Sequence, residues 1–428
     1  MLKSSRNIVS AIELGTSKIC VLIGNSNPNG QLEVIGYGEV PTEGAIVKGE
    51  IIDMNNVYEK LNIALDDADR SSGKELSNNL LSVINVTGCN IDSVHRVGTA
   101  IIRTPDQKIT EKERFEANQN AEINNMPNDK MLLHSAESYY ILDGNRRLRN
   151  PEGQIADKLD AHIQIIRGYK NRIENFKRPV VDAGIDENAI LPIFSGTCSD
   201  MGILSKDEKE RGVLLLDFGA GTTEYMVEYK EGMITGGVFP IGFNHVLNDL
   251  SIGLDLPFDF CRKLAESGKL ESLLTSGTEY LEYPNLRGSV RKIPTSSFEI
   301  IIELRLRELF GLVNDALRKE NDTLHNLGAG GVMTGGGSLL SMSQNIFQET
   351  FQCSARIGQP HDVVGASGEI SSPRYSMIYG ALKIADDQYR NYEINSPRNP
   401  IQNIDAMLNK ILSLGKNIGR NLKESINI

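Results

Sequence analysis

Two stretches of the chain set an acidic residue, glycine and hydroxyl side chains in the same order: Glu13-Leu14-Gly15-Thr16-Ser17, followed by Lys18, and Asp217-Phe218-Gly219-Ala220-Gly221-Thr222-Thr223. A tight glycine turn can aim several backbone N–H groups at one anion, because the missing side chain permits close approach. Two such turns suit a polyphosphate gripped from both sides. Lys18 adds a point charge for the phosphates. Glu13 and Asp217, at the turn entrances, suit an outer-sphere Mg²⁺, which takes oxygen ligands and keeps waters. A third run, Val332-Met333-Thr334-Gly335-Gly336-Gly337-Ser338, stands where a strand is expected to turn into a helix, whose N-terminus offers N–H groups to an anion or a ribose. Taken singly, a glycine hairpin is an ordinary turn, GGGS a flexible loop, and Thr222 and Thr223 serve the hairpin backbone as readily as a phosphate. The three together, in this order, point to a nucleotide.

The elements that must position these residues are legible from periodicity. Strands are expected at 8–14, 19–24 and 32–40, and the spacing of Val57, Leu61, Ala64, Leu65 and Ala68 predicts an amphipathic helix over 53–68, with a further strand at 80–86. The opening pattern returns at 213–217, 225–229 and 233–238. Glu13 and Asp217 are 204 positions apart, which reads as an internal duplication. Two similar α/β halves facing each other form a cleft, and such clefts are favoured ligand sites. Between 88 and 162 lies an Asn- and charge-rich stretch with short strand-like pieces and one polar helix near 111–122, expected to be an inserted small domain.

The chain has 428 residues, enough for roughly three domains, with 40% hydrophobic and 24% charged residues, as in folded globular proteins. A net charge of −11 argues against a general nucleic-acid surface. The five cysteines are scattered and form no CxxC pair, and the six histidines form no HExxH, so neither a disulfide framework nor a metal site is expected. No GxSxG elbow supports a hydrolase. No run of about eighteen apolar residues suggests a membrane-spanning helix, and no export signal is expected.

The last segment differs from the rest. After the linker-like NSPRNP at 395–400, the residues Ile404, Met407, Leu408, Ile411, Leu412, Leu414, Ile418, Leu422 and Ile426 fall on one helical arc, with Lys410, Lys416, Arg420 and Lys423 opposite. From 401 onward the net charge is +2, against −13 for the remainder. A cationic amphipathic helix on an acidic body suits a reversible foot on an anionic membrane surface. Gly415 and Gly419 weaken the helix, so binding would rest on many copies acting together.

The order of these motifs resembles the actin, Hsp70 and sugar-kinase superfamily. Within it, SAIELGTSKICVLIG at 10–24, EGAIVKGEIIDMNNV at 43–57 and GAGGVMTGGGSLLSM at 328–342, with an insertion after the first strands, resemble the bacterial cell-division family FtsA over nearly the whole chain. The resemblance implies a two-lobed, actin-like (duplicated, ribonuclease H-like) α/β fold with a small α/β subdomain inserted in place of the actin one. The expected first lobe is 1–87 with 163–204 and 370–387, including connecting helices at 191–204 and 373–385. The insertion is 88–162, the second lobe 205–369, the linker 388–403 and the membrane helix 404–428. It further implies ATP with Mg²⁺, at most slow hydrolysis, self-assembly into filaments, the cytoplasmic face of the membrane at the division site, and recruitment of later division proteins. The tail of FtsZ would dock near Arg287, Arg291 and Lys292, with complementary charge. Where the family carries Gln or Gln-Glu to orient water, this chain has Ser135-Ala136-Glu137, leaving Glu137. Where it carries an acidic and Lys pair beneath adenosine, this chain has Cys261 and Leu264, with Lys263 and Glu266 displaced nearby. A small-molecule kinase of the superfamily and another actin-like scaffold, such as a pilus-assembly platform protein, are the competing readings.

Overall fold

The computed structural model describes residues 7–26, 31–73, 81–88, 90–123, 126–230, 232–284, 290–320, 327–365 and 368–395. The first lobe opens with β1 (Ile8–Leu14), β2 (Lys18–Ser26) and β3 (Leu32–Pro41), an antiparallel meander. β1 and β2 are buried almost throughout, so they read as continuous apolar runs rather than as alternation. A two-strand ribbon, β4 (Ile46–Val47) and β5 (Glu50–Ile51), leads into α1 (Met54–Ser72). Asp53 caps α1 by accepting the Asn56 N–H at 3.1 Å, and Gly73 closes it at φ 64°. The buried face of α1 is Val57, Leu61, Ala64, Leu65 and Ala68, the stripe that the spacing predicts. β6 (Leu81–Val86) then pairs parallel to β1.

The next unit is a second sheet, built from β7 (Ile91–Ile101), β8 (Lys130–Leu142), β9 (Arg146–Leu148) and β10 (Lys158–Tyr169) in the order β7-β10-β8-β9. One helix, α2 (Glu111–Ile123), packs on it. A Cβ at Gly98 would lie 2.1 Å from the Ala117 carbonyl oxygen, so glycine facing Ala117 and Ala121 lets the helix rest on the strand backbone. Short strand pieces were the expectation, whereas three of these strands have 11, 13 and 12 residues. Their alternation is masked by polar pairs across the sheet, such as Gln164 with Ser93 at 2.6 Å and Thr99 with Asp160 at 2.5 Å. β10 also continues to Tyr169, past residue 162.

The chain returns through α3 (Lys170–Asp182), β11 (Ile190–Phe194), α4 (Ser195–Ile203) and α5 (Lys206–Arg211). The helix expected from 191 begins only at Ser195. Residues 190–194 form the edge strand of the first sheet, where Pro192 is tolerated.

The second lobe begins with β12 (Val213–Phe218), β13 (Thr223–Tyr229) and β14 (Gly232–Phe239). There follow α6 (Phe243–Gly253), α7 (Phe258–Glu266), α8 (Lys269–Thr275), the hairpin β15 (Tyr280–Pro284) and β16 (Val290–Pro294), and α9 (Thr295–Glu320). β17 (Gly330–Thr334), α10 (Ser341–Phe351) and β18 (Ala355–Ile357) complete it. The two lobe sheets have one topology. β3-β2-β1-β6-β11 in the first matches β14-β13-β12-β17-β18 in the second, with parallel and antiparallel pairs at corresponding places.

α11 (Ser376–Asn395) closes the first lobe. It starts after a 3₁₀ turn at Pro373–Tyr375 and runs to Asn395, so the first eight residues of the expected linker are helix. Tyr389 is the reason: its ring is buried in the lobe core and its hydroxyl donates to Asn7 Oδ1 at 3.1 Å. Where α11 crosses α4, backbone meets backbone. A Cβ on Gly380 would sit 1.7 Å from the Cys198 carbonyl oxygen, and one on Gly202 would sit 2.3 Å from that of Ser376. Gly380→Ala should therefore force the helices apart and lower stability by about 1–3 kcal/mol. Gly311→Ala in α9, where a Cβ meets nothing within 4 Å, should raise it by about 0.5–1 kcal/mol. Urea denaturation of both variants checks the pair, and equal effects would remove the crossing as a constraint.

Candidate nucleotide cleft

The two glycine turns are closed by equivalent bonds. The Gly15 N–H donates to the Lys18 carbonyl at 2.9 Å between β1 and β2, and the Gly219 N–H donates to that of Thr222 at 3.0 Å between β12 and β13. The turns face each other at contact distance: a Cβ on Gly221 would lie 2.3 Å from Thr16 Oγ1. Ser17 and Ala220 tie the turns to their own lobes through the backbone, Thr42 N–H to Ser17 O at 3.0 Å and Asn244 N–H to Ala220 O at 2.8 Å. Thr223 spends its hydroxyl on the Ile241 carbonyl at 2.7 Å.

The third glycine run leaves β17 and packs on the second turn. Gly335 has φ 82°, and a Cβ there would lie 2.4 Å from Asp217 Oδ1, while one on Gly337 would meet the Phe218 ring at 2.3 Å. Gly336 is the open member, with its nearest neighbour, Arg374 Cγ, 3.9 Å from an added Cβ. The expected passage from strand to helix is indirect. The run forms a short 3₁₀ turn at Gly336–Leu339, and α10 begins at Ser341. Ser338 is buried and donates to the Gly335 carbonyl at 2.7 Å, holding that turn.

Charge is concentrated at the turn entrances. Lys18 is buried between Glu13 at 3.1 Å and Glu39 at 3.4 Å, with its ammonium 4.0 Å from the Tyr375 ring centroid. Asp217 accepts from Ser199 on α4. Burial pushes the Asp217 carboxyl up to about 6, against that hydrogen bond, and burial also raises Glu13, against the pull of Lys18. Glu224, at the start of β13, accepts from Thr222 at 2.9 Å and from Thr87 just beyond β6. Burial, with the Asp217 charge adding, pushes it up to about 8.

Glu224, Ser199 and Thr87 join the site without having been singled out in the sequence. Asn85 is a fourth: it accepts the Leu14 N–H at 2.8 Å and donates to Ser195 Oγ at 3.2 Å, linking the first turn to α4. The available signal for Glu224 was its place directly after the two threonines of the second turn.

Other expected residues lie elsewhere. Glu137 stands on β8, where its carboxylate takes the Asn118 amide at 2.5 Å and faces Arg114 at 3.7 Å; among the described residues no phosphate-turn side chain is its partner. Lys263 and Glu266 are exposed on α7, Glu266 beside Arg262 at 3.5 Å, while Cys261 and Leu264 take the core face of the same helix. Arg291 is spent on the carbonyls of Leu254 and Asp255, and Lys292 on the Tyr280 hydroxyl at 2.9 Å. Arg287 and the membrane-helix residues Leu408, Lys410, Ile411, Lys416, Ile418, Arg420, Leu422 and Lys423 lie outside the described residues. Among the described residues no helix is long and apolar enough to cross a membrane, and no three His, Cys, Asp or Glu cluster as metal ligands.

Comparison with known proteins agrees with this architecture. A family model described as "Cell division protein FtsA" matches residues 214–380, and one described as "SHS2 domain inserted in FTSA" matches 88–167. The cell division protein FtsA of Borreliella burgdorferi is 28% identical over 95% of this chain and 98% of its own, and that of Escherichia coli K12 is 24% identical over 96% and 99%. Among solved structures, a PilM-PilN type IV pilus biogenesis complex is similar with TM-score 0.59 and 14% identity, covering 88% of this chain and 98% of that one. MreB5 of Spiroplasma citri bound to AMPPNP is similar with TM-score 0.54 and 13% identity, covering 92% and 99%. The fold is actin-like with an inserted SHS2 unit, and the chain belongs to the FtsA family of cell-division proteins.

Proposed function

We propose that the chain is an ATP-binding division protein that polymerises on the cytoplasmic face of the membrane, anchors FtsZ filaments there and recruits later division proteins. The observation that carries the nucleotide part is the pair of equivalently closed turns meeting at Thr16 and Gly221, with the third glycine run seated on Asp217. In this reading the N–H groups of residues 16–18 and 220–222 hold the phosphates, and the open backbone at Gly336 admits the nucleoside. Glu13 and Asp217 are oxygen donors that fit a hydrated Mg²⁺, whose charge would offset theirs and that of the phosphates. Lys18 is held at the turn by two carboxylates, so it stiffens the first turn as well as adding charge. Glu224 rather than Glu137 is the carboxylate at the phosphate end, because it is bonded to the second turn. Any ATP turnover is slow, and the tail from 404 supplies the membrane contact.

Co-sedimentation with anionic vesicles tests the adaptor. The full chain should pellet with ATP and Mg²⁺, and a chain ending at Asn399 should stay in the supernatant; equal behaviour of the two removes the tail as the foot. A second expectation concerns Glu224 itself: Glu224→Gln should leave ATP affinity within about threefold, less than the 1.4 kcal/mol of a tenfold change, while lowering single-turnover hydrolysis at least tenfold.

The buried acids add a pH dependence. Asp217 and Glu224 hold their protons more tightly folded than unfolded. Their contribution to stability is full below the ordinary carboxyl range and is lost as pH rises through about 6 for Asp217 and about 8 for Glu224. Denaturation of the nucleotide-free chain should show stability falling across that window. Glu224→Gln should flatten the upper part, and a profile unchanged by the substitution would contradict the assignment.

A further inference from the structure

A separate cavity of about 540 Å³ lies between the inserted sheet and the α4–α11 crossing. Its walls are β8, α4, α11 and the far end of β13, and it shares no lining residue with the glycine turns. Two features mark it as built for a polar guest. Asp200 and Thr197, on one face of α4, are 7% and 8% exposed, and Asp200 Oδ1 and Thr197 Oγ1 have no hydrogen-bond partner among the described residues. Unmatched buried polar atoms are costly and uncommon, and a ligand that supplies hydrogen bonds accounts for them.

The chemistry of that guest follows from the lining. Glu137, Asp200, Glu228 and Asp387 contribute carboxyl groups against two cations, Arg149 and Lys209, and Lys209 is already joined to Asp200 Oδ2. What remains is an excess of acceptors, which calls for a cationic donor. Among the described residues no metal-ligand cluster is present, whereas Ile193, Met201 and Ile384 offer an apolar wall suited to methylene groups. An ammonium carries three donors and no acceptor, matching Asp200 Oδ1, Thr197 Oγ1 and the Glu228 carboxyl group. Burial, with the Asp200 charge adding, raises Glu228 to about 8 against the pull of Lys209 and Arg149.

We infer that this cavity is a second ligand site, which takes an aliphatic primary ammonium group on Asp200, Thr197 and Glu228. The site does not depend on the nucleotide reading, although it touches the same elements. Asp200 is adjacent to Ser199, which donates to Asp217, and Glu228 lies on the strand that begins Thr223-Glu224.

The test is isothermal titration of the full chain with putrescine and with spermidine at pH 7.5, against sodium chloride of matched ionic strength. Saturable one-to-one binding is expected. It should weaken about tenfold in Glu228→Gln, which loses the carboxylate charge facing the ammonium, and in Thr197→Val, which loses the hydroxyl acceptor. Matching circular dichroism spectra of the variants keep the comparison independent of folding. The chain ending at Asn399, titrated in parallel, separates two sources of the ammonium. Equal affinity identifies a free ligand, and tighter binding identifies competition from a lysine of the tail. Absence of saturable binding in both forms, or binding unchanged in both variants, overturns the inference.

Discussion

Burying Glu13, Asp217 and Glu224 in one cleft is unfavourable unless a proton, a cation or well-placed donors offset the charge. Much of the surrounding arrangement answers that constraint. Lys18 is fixed between Glu13 and Glu39, Ser199 reaches Asp217 from α4, and Thr87 and Thr222 share Glu224. The donors come from the ends of β2, β6 and β13 and from α4, so the cleft exists only when both lobe sheets and the returning helix are assembled. The duplicated topology meets this requirement economically, because a strand-turn-strand unit used twice brings two carboxylates and two amide-lined turns to one seam.

What the sequence discloses about this site depends on how local the physics is. The two turns are legible because their closing bonds span three residues and need glycine at the first position, as in Gly15 to Lys18 and Gly219 to Thr222. The face of α1 is legible for the same reason, since five buried residues repeat at helical spacing and Asp53 marks the start. Glu224 is a different case. Its burial depends on Thr87, 137 residues earlier in the chain, and no window of sequence shows that meeting. Glu137 fails in the opposite sense: its place in the chain suggested the cleft, but its strand carries it to Asn118 and Arg114 on α2 of the inserted unit.

The inserted unit was visible as a change of composition and not as a sheet. Its strands carry polar residues that pair with one another, so the alternation that announces a half-buried strand is interrupted at Ser93, Thr99, Asp160 and Gln164. Its outer surface is equally patterned by pairing. Arg147 lies 3.6 Å over the Tyr139 ring, Tyr139 stacks on His162 at 4.4 Å, and His162 reaches His95 at 3.3 Å. Identity of 24–28% to relatives along almost the entire chain is compatible with such a structure, because contacts of this kind constrain residue class and volume more than identity.

At the crossing of α4 and α11, Gly202 and Gly380 leave no side chain between the two helices. Side chains at an interface act as springs, since their rotamers can absorb a shift of an ångström or so. Bare backbone has no such compliance, and a sliding displacement would meet a carbonyl oxygen almost at once. The joint therefore behaves as a pin rather than a cushion: α4 and α11 can turn against each other about this point far more readily than they can slide or part.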